Sequence, residues 1–278
     1  MSSPFVPVQA RSSVLNLPGK YNEWRPSVKL HKYVYCYWLS TIRSSQDSQS
    51  PISISGRKEM IAPDGCIDIV FQIGKDRATL HGMIVGTLDR SLYVDLAYDR
   101  LHTFGIRFYP GGLQAFLREP ADLFTNQILD LSEIWKQLQT ELTGHLQTAA
   151  SMEHFILLTD RSLLSRLNDS PAGDDLFQNA LVHIWQAQGI LTVKELARRE
   201  CISERQLRRI FYERTGVSTK TFTRIMRFQS VLGMLNRMEG RKLTDAALQT
   251  GYYDQAHFIH EFQSICGLLP SEYIKSLN

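Results

Sequence analysis

The chain has 278 residues, 43% hydrophobic and 21% charged, with a formal net charge of +3, the composition of an ordinary globular protein with material for two cores. No run of about 18 apolar residues occurs, which excludes a helix through a membrane, and the start Met1-Ser-Ser-Pro lacks the basic-then-apolar pattern of a secretory signal. Cys36, Cys66, Cys201 and Cys266 form no CxxC pair, so free thiols and a cytoplasmic location are expected.

Up to about residue 112 the pattern is short and strand-like. Segments 33–38, 67–71, 83–85, 92–96 and 104–108 are rich in aromatic and β-branched residues and are separated by Gly or polar turns, which predicts strands of a small barrel or sandwich. The Ser- and Gln-rich stretch 43–58 predicts a long hairpin loop. After Gly112 the period lengthens, and 113–118, 131–142 and 152–167 carry Leu and Ile at helical steps. The helices 131–142 and 152–167 are expected either to pack on the barrel or to form a dimer seam. The polar segment Asn168-Asp-Ser-Pro-Ala-Gly-Asp-Asp175 reads as a linker. The expected division is residues 1–168, a linker at 169–175, and an all-α domain at 176–278.

Charge is unevenly spread. Thr192 to Lys242 holds 13 basic and 5 acidic residues, while Leu243 to Asn278 has one Lys against four acids. A clustered positive patch is the footprint of a polyanion binder, although a solvated helical face has the same look.

An internal repeat decides between them. Val193, Ala197, Cys201 and Ile202 match Leu243, Ala247, Gly251 and Tyr252 at an offset of 50, and Leu207, Phe211 and Gly216 match Phe258, Phe262 and Gly267 at an offset of 51. Each copy predicts a short helix, a tight turn and a second helix ending at Gly, which is the build of a helix-turn-helix. In the first copy Ser203 is the expected N-cap, with Gln206 three residues on. Leu207, Ile210 and Phe211 form the inner face; Arg205, Arg208, Arg209 and Tyr212 face outward, where arginines suit guanine edges and phosphates. In the second, Asp254 is the N-cap and Phe258, Phe262 and Ile265 face inward. Gln255, His257, His260, Glu261 and Ser264 are expected outward. The joining helix, 220–237, presents Lys220, Arg224 and Arg227 to phosphate. Two readers on one scaffold suit successive major-groove faces about 34 Å apart.

At these residues the sequence resembles the AraC/XylS family of transcription regulators. The match runs from about 177 to 275 and is carried by "ISERQLRRIFYERTGVSTKTF" and "LTDAALQTGYYDQAHFIHEFQSICGLLPSEYI". The resemblance implies that Arg205, Arg208 and Arg209 face bases from the first unit, and Gln255, Ala256, His257 and His260 from the second. Cys201 stands where the family often has Gly, so a strained or differently shaped backbone is expected there. His260 stands where many members carry Arg, so the second unit is expected to anchor more weakly. "APDGCIDIVFQIG" and "FGIRFYPGG" resemble an uncharacterised N-terminal domain of some members. That implies a cupin-like β-barrel followed by helices, serving effector sensing or dimerisation.

The N-terminal half offers few residues for chemistry. His31, His81, His102, Asp64, Asp68 and Cys66 are the metal-ligating types, but no H-x-H pair occurs, and no metal or cofactor is expected. Arg107 alternates with Phe104, Ile106 and Phe108; if its face lines the barrel, it is a clamp for a small acid. Trp38 and Asp64 are the other effector-binding candidates, beside the plainer roles of packing and turn capping. The expectation is an α+β protein, a cupin-like barrel with following helices and then two helix-turn-helix units joined by a long helix. It acts as a non-enzymatic, effector-controlled regulator of transcription. Its expected partners are double-stranded promoter DNA, a small-molecule effector, a second copy of the chain and RNA polymerase, with no membrane. The alternative is an enzyme-linked sensor in which Cys36 or Cys66 accepts an alkyl group, or a barrel metal does chemistry.

Overall fold

The computed structural model describes residues 5–9, 19–42, 58–74, 80–95, 102–168, 174–236 and 250–277. The fold is mixed α+β, an antiparallel sheet region followed by helices. The strands are β1 (Gly19–Trp24), β2 (Val34–Ile42), β3 (Lys58–Ile61), β4 (Ile67–Ile73), β5 (Leu80–Val85), β6 (Leu92–Asp95), β7 (His102–Phe108) and β8 (Ile128–Asp130). Six make one antiparallel sheet in the order β1-β2-β7-β4-β5-β8, and β3 pairs with β6 separately. The sheet is open: among the described residues β1 and β8 are its two edges, so the closed barrel expected from the strand pattern is not formed.

One face of the sheet is covered by helices. Phe104, Ile106 and Phe108 of β7 and Ile67, Ile69, Phe71 and Ile73 of β4 are all at most 2% exposed and share one core, because successive side chains leave a strand on opposite faces. Helices rather than further strands cover that face. They are α1 (Leu131–Ile134), α2 (Lys136–Thr148) and α3 (Met152–Leu164). Leu138, Leu142 and Leu146 of α2 and Phe155, Ile156 and Leu163 of α3 enter the same core, with Phe155 edge-on to Phe104 at 5.0 Å. These helices therefore pack on the sheet. The helix expected over 131–142 is broken at Trp135, whose backbone (φ −141°, ψ 59°) is not helical, and the one expected over 113–118 is only a 3-10 turn, Leu113–Ala115.

The C-terminal region contains α4 (Asp174–Gln186), α5 (Val193–Arg199), α6 (Glu204–Thr215), α7 (Thr219–Leu235), α8 (Gln255–Cys266) and α9 (Pro270–Ser276). The first helix expected for the second repeat, with Leu243 and Ala247, lies outside the described residues, as do 169–173 of the linker and 43–57 of the expected hairpin loop. None of the described helices is long and apolar enough to cross a membrane.

The two halves share their interiors. Met60 and Ala62 belong to the core of α7, α8 and α9, and Phe5 and Cys66 to that of α4, α5, α6 and α7. The Gln229 side chain on α7 accepts from Val8 N at 2.7 Å and donates to Val8 O and Pro63 O at 2.9 and 2.7 Å, and Phe5 stacks on Trp185 at 5.0 Å.

Candidate nucleic-acid interface

The first unit is built by local capping. Thr192 and Glu195 form a capping box that starts α5, satisfying amide groups that a helix start leaves open. Ala197, 3% exposed, is the small residue beneath α6. The turn passes through Cys201 at φ 53°, the strained left-handed conformation expected where a glycine would be at ease. Ser203 Oγ then accepts from Gln206 N at 3.1 Å and opens α6, which ends at Gly216 with φ 73°.

The inner face of α6 buries Leu207 and Phe211 completely. On the other face Arg205, Arg208, Arg209 and Tyr212 are all exposed. Arg208 pairs with Glu204 at 2.7 Å and Arg209 with Glu213 at 3.9 Å, exposed one-turn pairs of the kind that contribute little and release their arginines readily. The Tyr212 hydroxyl donates to Asp122 in the 3-10 turn Ala121–Phe124 at 3.0 Å, and Thr125 Oγ1 donates to Gly216 O at 3.1 Å. The N-terminal half thus touches the tail of this helix.

The second unit repeats the plan. Gly251 (φ 74°) occupies the position matching Cys201, Asp254 accepts from His257 N at 2.7 Å, and α8 ends at Gly267 (φ 82°). Phe258 and Phe262 are fully buried, while Gln255, Ala256, His257 and His260 are exposed. Here too the N-terminal half meets the helix end: Tyr93 Oη donates to Cys266 O at 2.9 Å and Ser91 N to Ile265 O at 2.7 Å. Tyr253, 90% exposed in the turn before the cap, is an addition to the candidate surface that periodicity in the helix did not reveal.

Between the two units lies a cleft of about 650 Å³, lined by Lys220, Arg224 and Arg227 of α7, His257 and His260 of α8, and an apolar floor that includes Leu191. It joins these five expected contacts in one surface; Gln255 is exposed at the start of α8 but does not line the cleft. One expectation is corrected here. Glu261 does not lie outward but is only 9% exposed, with carboxylate oxygens 3.6 Å from Arg224 Nε, 3.6 Å from Arg227 Nη1 and 3.6 Å from His257 Nε2. Arg224 also donates to Ser264 Oγ at 3.1 Å. Arg227 donates to Gly189 O at 3.2 Å and lies over the Tyr252 ring at 5.4 Å.

The three effector-binding candidates of the N-terminal half also converge, on the sheet face turned away from the aromatic core. Arg107 Nε donates to Asp68 Oδ1 at 3.0 Å, Trp38 Nε1 donates to the same oxygen at 3.1 Å, and Arg107 Nη1 stands 3.7 Å from Asp64. Burial works against the guanidinium charge, but Asp68 and Asp64 hold its pKa well above the usual value. Asp64 is itself pushed up by burial, and it also accepts from Cys66 N and Gln9 Nε2 at 2.9 and 2.7 Å. Arg107 is thus matched by two carboxylates of its own chain, which leaves a clamp for a free acid without spare positive charge. Cys36 and Cys66 are buried, and burial raises both thiol pKa values, the reverse of what an alkyl-accepting thiolate needs. His31 and His102 hydrogen-bond separately, to Pro26 O and Thr41, and His81 lies 3.8 Å from Asp130.

Two segments of the chain match known families. Residues 196–276 match a family described as a helix-turn-helix domain, and residues 22–130 match a domain of unknown function, DUF6597. An uncharacterized HTH-type transcriptional regulator of Haemophilus influenzae is 32% identical over 106 residues, 38% of this chain and 35% of that protein, so the chain spans about a third of that relative's length. Among solved structures, the C-terminal domain of AraT, a response regulator from Geobacillus stearothermophilus, aligns with 21% identity and a TM-score of 0.36 over 38% of this chain and 88% of that one. ToxT from Vibrio cholerae aligns with 13% identity and a TM-score of 0.41 over 77% and 90%.

Proposed function

We propose that this chain, whose residues 196–276 match a helix-turn-helix domain family, is a sequence-specific DNA-binding regulator of transcription that uses α6 and α8 as two unequal readers. The observation that carries the reading is the twice-built helix, capped at its start, buried on one face and ended at a left-handed glycine, whose free face holds Arg205, Arg208 and Arg209 in the first copy. Arginine near a helix N-terminus reads guanine edges bidentately. The histidines and Gln255 of α8 hydrogen-bond to bases but attract phosphate weakly, so α6 supplies most of the affinity.

In this reading the N-terminal domain controls the readers. It touches the ends of both, through Asp122 and Thr125 at α6 and through Ser91 and Tyr93 at α8. A small-molecule effector or a second copy of the chain, bound to that domain, shifts the balance between arrangements of the two helices and so changes DNA affinity. The proposed role needs no catalytic step, and its setting is the cytoplasm, on promoter DNA beside RNA polymerase.

The test is selection of the full chain on random duplexes at fixed physiological salt. A motif with a strong half and a weaker half one helical turn away is expected, about 10 base pairs in B-form DNA. Arg205→Ala, Arg208→Ala and Arg209→Ala should each cost about 1–3 kcal/mol and relax the sequence at one base. Salt-sensitive retention with no enriched motif would overturn the two-reader assignment.

A further inference from the structure

Among the described residues, Glu261 is the only acidic side chain in the lining of the basic cleft between the two units, and an acid on a phosphate-facing surface opposes binding. Its surroundings show what it does instead. It projects from α8 and lies within 3.6 Å of two arginines of α7 and of His257 one turn earlier on its own helix. Both arginines were expected to be free for phosphate.

They differ in how firmly they are held. Arg227, with its side chain 17% exposed, is also fixed by the Gly189 carbonyl and the Tyr252 ring. Arg224, 35% exposed, is fixed by Glu261 and the exposed Ser264 hydroxyl. Removing the carboxylate therefore frees Arg224 first.

Building on the DNA-binding reading above, we propose that Glu261 is a positioning and specificity-determining residue: it latches α8 to α7 and withholds Arg224 from the DNA backbone. The latch lowers sequence-independent attraction and fixes the angle at which the weaker reader meets its half-site. A reader with no arginine or lysine on its outer face discriminates only if its neighbours do not already hold any duplex tightly. Non-specific affinity is set by the number of phosphates neutralised, and specificity is the difference between the two kinds of binding.

The experiment is a salt titration of the full chain on the selected duplex and on a scrambled one, with Glu261→Gln. On the scrambled duplex the variant should bind more tightly, with log K against log[salt] steeper by about 1, one added phosphate contact, and its preference for the selected site should fall. Adding Arg224→Gln on the Glu261→Gln background should return the slope to the wild-type value, which a general loosening of the fold does not do. An unchanged slope overturns the proposal, and so does a steeper slope that Arg224→Gln fails to reverse. If Glu261→Gln loses its helical circular dichroism, Glu261→Asp carries the test. One methylene shorter, it should steepen the slope by a smaller amount, and a slope no steeper than wild type overturns the latch. Wild-type chain that binds neither duplex refutes the DNA-binding reading itself, a result distinct from any of these.

Discussion

Replacing Cys201 by glycine should stabilise the protein. Cys201 is exposed and sits at φ 53° in the turn between α5 and α6, where a Cβ crowds the backbone at a cost of roughly 1–2 kcal/mol. Glycine removes that strain but gives the unfolded chain more freedom, which offsets roughly 0.4–1 kcal/mol. No buried contact is lost with an exposed side chain, so the net gain is about 0–1.6 kcal/mol with a midpoint of about 0.8, or about 2–3 °C in Tm at that midpoint for a chain of this length. The assay is chemical denaturation of the wild type, Cys201→Gly and Cys201→Ala in parallel. Alanine keeps the Cβ and should gain nothing. If alanine and glycine stabilise equally, the sulfur and not the backbone was the burden, and the argument from φ is wrong.

Two other perturbations bear on the seam and on the thiols. Gln229→Ala leaves Val8 N, Val8 O and Pro63 O without their partner and should cost about 1–3 kcal/mol; protection of residues 5–9 from proteolysis should fall with it, and an unchanged cleavage rate would mean that the segment is held by other contacts. Brief treatment of the native protein with a thiol reagent should label Cys201 ahead of the buried Cys36, Cys66 and Cys266, with one adduct by intact mass; rapid labelling of Cys36 or Cys66 would revive the alkyl-acceptor reading.

The parts of the fold that declared themselves in the sequence are those where one face is dry and the other wet. Phe104, Ile106 and Phe108 alternate with Gly105 and Arg107, and Leu207, Ile210 and Phe211 alternate with arginines at helical steps, so β7 and α6 could be read directly. The caps Ser203 and Asp254 and the terminal glycines 216 and 267 were legible because few residue types can do those jobs. Strand β1, Gly-Lys-Tyr-Asn-Glu-Trp, is an edge strand with little apolar alternation, and β8 has three residues; neither leaves a periodic signal. Period tells which face a side chain joins but not whether a sheet closes, so the open sheet was misread as a barrel. The break at Trp135 is a backbone event inside an uninterrupted helical pattern. Glu261 stands three residues after Phe258 and four before Ile265, so its spacing puts it on the apolar stripe while its charge points to an outward direction, and the spacing prevails. At the interface, spacing put Arg224 and Arg227 on one stripe of α7, but only the packed structure shows the carboxylate between them.

The mixed cores carry a consequence for how such a chain can change over time. A cut at the expected linker would divide the polypeptide, but it would also take Met60 and Ala62 out of the interior of the second unit and Phe5 and Cys66 out of the first. The pieces are contiguous in sequence and shared in volume. A foreign N-terminal domain grafted onto this C-terminal one would have to supply side chains of matching shape at four places, or leave voids that destabilise the readers. Exchange of either half is thus restricted by packing that no single segment of the sequence displays.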